Sequence, residues 1–147
     1  MADTLLVKDV MTKGVKVTGP DSNVKEVVAA MNKFDIGSII VVQDNKPVGV
    51  ISERDVLRRV VEPCLSPETI AARQIMTHPV ITIHESASVA EAVKIMAEKR
   101  VRKIPVVKKK KLVGIVTYTD ILSKGLNMIS ILGELTTTSH ARSRKSR

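Results

Sequence analysis

Aromatic side chains are nearly absent from this chain: there is one Phe (Phe34), one Tyr (Tyr118) and no Trp. Proteins that hold single-stranded nucleic acid by stacking bases need several such rings, which argues against that class. Cysteine is equally scarce. The single Cys64 excludes an intrachain disulfide and fits a reducing compartment. No apolar run approaches the length of about 20 residues that a membrane span needs, and the opening Met-Ala-Asp-Thr does not read as a signal peptide. A cytoplasmic protein without a membrane partner is expected. His78, His84 and His140 share no metal-ligand spacing with one another or with Cys64, so no metal site is expected. No nucleophile–base pair and no glycine-rich phosphate loop is legible, and the chain is not expected to be an enzyme.

The dominant feature is an internal repeat. Residues 4–57 align with residues 69–122 without a gap, at a constant offset of 65. Met11-Thr12 matches Met76-Thr77, Val41-Val42 matches Val106-Val107, and Asp55 matches Asp120. Two copies in 147 residues imply one pseudo-symmetric body with two similar clefts, because a copy of this size is marginal alone. Hydrophobic residues make up 44% of the chain, almost all Val, Ile, Leu, Ala and Met. Such β-branched content favours a sheet-containing core.

Each copy reads as strand, helix, strand, strand, helix. Residues 15–18 and 80–83 are short β-prone runs. Asn23 and Ser88 are helix N-caps. Ser88 with Glu91 reads as a full capping box and Asn23 with Glu26 as a close variant. Val24, Val27, Val28 and Met31, and then Val89, Ala92, Val93 and Met96, recur at helical spacing and define a buried stripe. The runs 39–42 and 104–107 read as buried strands, with Pro105 expected at a strand start or on an edge. Return strands cover 48–51 and 112–116. The turn Asp44-Asn45-Lys46 is replaced in the second copy by Lys108 to Lys111, a run without Gly or Asn. Residues 4–60 form the first repeat, 61–68 a linker and 69–124 the second repeat. Residues 125–135 form an apolar segment and 136–147 a basic tail expected to be disordered.

The net charge of +9 is uneven. The Lys108–Lys111 run and the group Arg142, Arg144, Lys145 and Arg147 hold nearly all of it, and the body is close to neutral. These two basic pieces read as a solvated turn and a solubilising tail. They also allow electrostatic contact with nucleic acid or an acidic protein surface.

The most chemical pattern is Gly, two aliphatics, Ser or Thr, two variable residues and Asp. It occurs as Gly49 to Asp55 and again as Gly114 to Asp120. Taken alone, either copy is explained by helix capping, with Ser52 or Thr117 as N-cap and the acid three residues on. The pattern also suits a ligand. The Gly permits close approach at a strand end. The hydroxyl can meet a phosphate or sugar, and the Asp can accept two hydrogen bonds from a vicinal diol.

The ordered set of Met-Thr, capped helix, apolar strand pair and Gly-x-x-[Ser/Thr]-x-x-Asp, present twice, resembles a tandem pair of cystathionine-β-synthase (CBS) domains, the Bateman module. The resemblance covers residues 4–122. It implies an α+β fold of two β-α-β-β-α repeats packed sheet to sheet about a pseudo-twofold axis. It also implies clefts that take adenosine ligands: AMP first, ADP, ATP, S-adenosylmethionine or NAD. Carried over, one site combines Ser52 and Asp55 with Thr77, Val80, Ile81, Val101, Arg102 and Lys103. The other combines Thr117 and Asp120 with Thr12, Val15, Val17, Ile36, Gly37 and Ser38. Arg102-Lys103 would give the Asp55 site the phosphate cations and hence the tighter grip on phosphorylated ligand, whereas the matching Gly37-Ser38 gives none. Lys16 and Arg54 are further cations whose cleft the sequence leaves open. The expected function is a non-catalytic regulatory module, homodimeric, that requires no cofactor and signals through altered packing. The alternative is a scaffold or adaptor that binds nucleic acid or an acidic protein through the basic turn and tail.

Overall fold

The structure is a computed structural model and describes residues 5–124. The apolar segment 125–135 and the basic tail 136–147 lie outside the described residues. The first repeat runs β1 (Val17–Thr18), α2 (Val24–Phe34), β2 (Ser38–Gln43), β3 (Lys46–Ser52) and α3 (Glu53–Val56), which continues as a π-helical stretch, Leu57–Val61. The second runs β4 (Ile83–His84), α5 (Val89–Lys99), β5 (Lys103–Lys108), β6 (Lys111–Thr117) and a helical segment over 118–124, here α6. Each repeat opens with a single helical turn that sequence periodicity did not reveal: α1 (Val7–Val10) and α4 (Ala72–Ile75).

Two three-stranded sheets result, ordered β1-β2-β3 and β4-β5-β6, each with one parallel and one antiparallel pair. This is the expected α+β arrangement. The sheets meet where β3 approaches β6. The leading strands are shorter than expected, and β4 starts one residue later than the repeat demands. Val17 pairs with Ile40, but Ile83 rather than Thr82 begins β4, opposite Val106. The reason is Pro105, which stands where Ile40 stands and has no N–H to offer. It lies within the central strand β5, not on an edge.

Local chemistry explains the helices. Asn23 Oδ1 accepts from the Glu26 N–H at 2.8 Å, and Glu26 Oε1 accepts from the Asn23 N–H at 3.0 Å. This box is reciprocal, whereas Ser88 makes only the forward bond, to the Glu91 N–H. The two helices end on Asp35 and Arg100, both left-handed. Val24, Val27 and Met31 are buried on α2, but on α5 only Ala92 and Met96 are; Val93 is 45% exposed.

The cores are exchanged between the repeats. One cluster joins Val7, Val10 and Met11 to Ile83, Ala92, Ile104, Val106 and Val116. The other joins Ala72 and Ile75 to Val24, Val27, Ile39, Val41, Ile51 and Val60. Thus α1 completes the second core and α4 completes the first. The exchange is fastened by paired backbone bonds. Val7 and Lys8 N–H groups donate to Ala87 and Glu85, and Ala72 and Arg73 N–H groups donate to Ser22 and Pro20. Thr12 and Ile115 bond each other through both backbone groups, as do Thr77 and Val50.

The motif glycines serve this crossing. A Cβ on Gly114 would lie 2.7 Å from Met11 Sδ and 2.9 Å from the Thr12 carbonyl, and one on Gly49 would overlap Met76 Sδ. The close approach that requires these glycines is therefore made by the other repeat's Met-Thr pair. Gly114→Ala should lower stability by about 2 kcal/mol, because the Thr12 backbone cannot yield. Gly19→Ala, whose nearest neighbour is Ser22 Oγ at 4.0 Å, should change it by less than about 0.5 kcal/mol. Urea denaturation of the two variants checks both values.

The hairpin turns match in shape and differ in chemistry. Asp44 and Asn45 adopt φ of 54° and 67°, and Lys109 and Lys110 adopt 53° and 66°. Two consecutive left-handed residues make a tight hairpin turn that favours Asn and Gly. Lysine there costs roughly 1–2 kcal/mol per residue. The first turn touches the start of β6, since the Leu112 N–H donates to the Asn45 carbonyl at 2.8 Å.

Candidate functional site

The loop before β1, the start of β2, the end of β6 and the first turn of α6 enclose a cavity of about 260 Å³ between the repeats. Its polar wall holds Thr12, Ser38, Thr117 and Asp120, and its apolar wall holds Val15, Ile36, Ile40 and Ile115. Asp120 sits at the third residue of the helix because the Thr117 hydroxyl caps that helix, accepting from the Asp120 N–H at 3.0 Å. Its carboxylate is then free to turn outward. Thr12 Oγ1 donates to Asp120 Oδ2 at 3.0 Å, and among the described residues no hydrogen bond reaches Oδ1.

Two lysines line the same cavity, Lys16 and Lys103. Lys16 Nζ stands 4.6 Å from the centre of the Phe34 ring, a cation–π contact that positions it. Lys103 is half-buried, and desolvation pushes its ammonium below the ordinary lysine value. Among the described residues Lys103 makes no ion pair and no side-chain hydrogen bond. An anion in the cavity would supply what this ammonium lacks.

Asp55 occupies the equivalent position and behaves differently. It is 9% exposed. Its Oδ2 accepts from the Ser52 N–H at 2.9 Å and from Ser52 Oγ at 3.1 Å. Its Oδ1 accepts from Thr77 Oγ1 at 3.1 Å, and Arg59 Nη1 stands 3.8 Å from the same oxygen. Arg59 is held there by the Ile75 and Met76 carbonyls, at 2.8 and 3.2 Å. The equivalent of Arg59 is Lys124, whose Nζ donates to the Val10 carbonyl at 2.9 Å but reaches no carboxylate among the described residues. Arg59 Nη1 makes all three of these contacts, whereas Lys124 Nζ reaches the one carbonyl. The repeat thus neutralises Asp55 and leaves Asp120 open.

The residues grouped with Asp55 on the resemblance are spread over several surfaces. Ser52, Asp55 and Thr77 are joined by hydrogen bonds. Ile81 packs against the second core, and Val80 lines a separate cleft with Met76 and Val107. Val101 and Arg102 line an outer groove beside Tyr118. Lys103 needs correction: it was paired with Arg102 as a phosphate cation for Asp55, but it lines the Asp120 cavity. Arg102, in the bend before β5, lines the outer groove, while Lys103, the first residue of the strand, lines the Asp120 cavity.

In the other group, Thr12, Val15, Ile36, Ser38, Thr117 and Asp120 come together, while two residues fall outside. Val17 lies further along β1 in another cleft. The Gly37 carbonyl accepts from the Glu53 N–H, and the position of its absent Cβ faces the Glu53 carboxylate. Sequence reasoning did not assign Gly14, Ile40 or Ile115 to the cavity and left the side of Lys16 open. It also passed over Arg59 and Lys124, although their shared offset was visible.

A two-repeat body with a polar and apolar cleft between its halves is the architecture of a ligand-binding regulatory module. The CBS domain family profile matches twice, over residues 7–62 and 72–127, and the chain belongs to that family. It is 37% identical over 130 residues to an uncharacterized protein of Methanopyrus kandleri, covering 87% of this chain and 66% of that one. It is 30% identical over 115 residues to Hypoxic response protein 1 of Mycobacterium tuberculosis, covering 78% of this chain and 80% of the relative. The crystal structure of Hypoxic Response Protein I with two coordinated zinc ions superposes with a TM-score of 0.75, over 81% of this chain and 98% of that one, at 28% identity. A hexameric CBS-CP12 protein from bloom-forming cyanobacteria superposes with a TM-score of 0.72, over 83% of this chain and 68% of that one, at 26% identity. Among the described residues of this chain, no three His, Cys, Asp or Glu side chains are grouped to hold a metal ion. No helix of the described residues is long and apolar enough to cross a membrane.

Proposed function

We propose that this chain is a non-catalytic sensor that binds an adenosine-containing ligand, AMP ahead of ATP or S-adenosylmethionine, in the Asp120 cleft. One observation carries this reading: the Asp120 carboxylate opens onto a cavity flanked by Lys16 and Lys103, whereas Asp55 is fully partnered. In this reading Asp120 accepts the ribose hydroxyls through the oxygen left free by Thr12. The base lies against Val15, Ile36 and Ile115, and the phosphate meets the two lysines at the open rim. The Asp120 site then binds phosphorylated ligand more tightly than the Asp55 site, reversing the order expected from Arg102-Lys103.

Occupancy would act by favouring one packing of the two halves, or of two copies, over another. Exposed Leu57, Val61 and Leu65 leave an apolar face suited to self-association, and a related protein is hexameric. A thermal-shift panel of AMP, ATP, S-adenosylmethionine and NAD tests the reading. A ligand at about 100 times its Kd adds close to 3 kcal/mol, which raises the melting temperature by several degrees. A flat response to all four would end the proposal.

A further inference from the structure

A second cleft, of about 500 Å³, lies at the opposite end of the sheets, beneath the two hairpin turns. Its apolar floor includes Val48, Val80 and Val107, and its rim carries Lys46, His78 and Lys110. The repeat supplies an internal control. The equivalent cleft has the matching floor residues Val113, Val15 and Val42, but it measures about 270 Å³. There Asn45 takes the place of Lys110, and neither Lys13 nor Lys111, the counterparts of His78 and Lys46, lines it. One scaffold therefore carries a wide cleft with a basic rim and a narrow cleft without one.

Lys110 holds its place against the preference of the backbone. It is left-handed at φ 66°, where its counterpart Asn45 fits readily. Strain of this kind persists at sites of function, where the side chain is worth more than the conformation. Lys46 and Lys110 are the lysines of the lining, while Lys108 in the same run is paired with Glu85.

We propose that this cleft is a docking site for an acidic peptide segment that inserts one aliphatic side chain against the valine floor. Charge complementarity selects the occupant. The chain's own C-terminal stretch, with Arg142, Arg144, Lys145 and Arg147, has the wrong sign. Single-stranded nucleic acid would want several rings to stack on, and the lining contains no Phe, Tyr or Trp and a single imidazole, His78. A small phosphate compound would want converging donors, whereas the floor is aliphatic.

The probe is a fluorescein-labelled nonapeptide with a central leucine flanked by acidic residues, titrated by fluorescence polarisation into the full chain. Binding is expected, with a loss of about tenfold when the leucine is replaced by glycine. Lys110→Asn should weaken binding by about threefold to fivefold while raising the melting temperature, so lost affinity cannot be ascribed to misfolding. Lys13→Ala, at the counterpart of His78, should leave binding unchanged. Equal affinity for the glycine peptide would show a surface charge effect and overturn the proposal. So would full binding by Lys110→Asn, or an oligouridylate that displaces the peptide and binds more tightly than it does.

Discussion

Asp120→Ala is expected to weaken AMP binding by roughly 10- to 100-fold, measured by isothermal titration calorimetry. The estimate follows from hydrogen bonds to a charged acceptor, worth about 1.5–3 kcal/mol. Asp55→Ala is expected to change affinity by less than about threefold, because both its oxygens are already occupied by Ser52, Thr77 and Arg59. Its cost falls on stability instead, about 1–2 kcal/mol from the lost helix-start bonds and the stranded partners. The sign of a control is also set. Removing the Asp120 charge leaves Lys16 and Lys103 unopposed in the cavity, so pyrophosphate should bind Asp120→Ala at least as well as the parent chain. If Asp55→Ala instead causes the larger loss of AMP affinity, the ranking of the two sites is wrong.

Val7→Asp should be the most damaging single change to folding. Val7 is 0% exposed and lies among Val10, Ile83, Val106 and Val116, a cluster made only of apolar side chains. A carboxylate placed there finds no partner. Uncompensated buried charge typically costs about 3–5 kcal/mol, a large share of the stability of about 5–15 kcal/mol usual for one domain. Hydrogen exchange locates the damage. Amides of β5 and β6 should lose protection before those of β2 and β3, although residue 7 belongs to the first repeat in sequence. Earlier loss in β2 and β3 would show that the cores are not exchanged as described.

The repeat made the architecture legible. An offset of 65 residues, the capped helices and the paired apolar runs suffice for two sheets each faced by a helix. What escaped was set by contacts distant in sequence. The turns α1 and α4 are too short to show a period, and only the opposite repeat gives Val7 and Ala72 something to cover. Lys103 follows Arg102 directly in sequence, yet the two part at the bend that opens β5, and no sequence pattern shows which cleft each lines. The different fates of Asp55 and Asp120 were hidden for another reason. They turn on Arg59 against Lys124, a substitution that keeps the charge: the guanidinium stands 3.8 Å from the Asp55 carboxylate, whereas the ammonium bonds the Val10 carbonyl. The glycines were read as sites of close approach by backbone or ligand, and the approaching groups are a methionine side chain at both and the Thr12 backbone at Gly114.

The exchanged leaders bear on how far each half depends on the other. A lone half would begin with a helical turn that has no slot in its own interior and would leave its own slot vacant. Only a sibling molecule could fill that vacancy, with the favour returned. Carrying both halves on one chain makes that meeting intramolecular, and it lets two acids of the same kind keep different company.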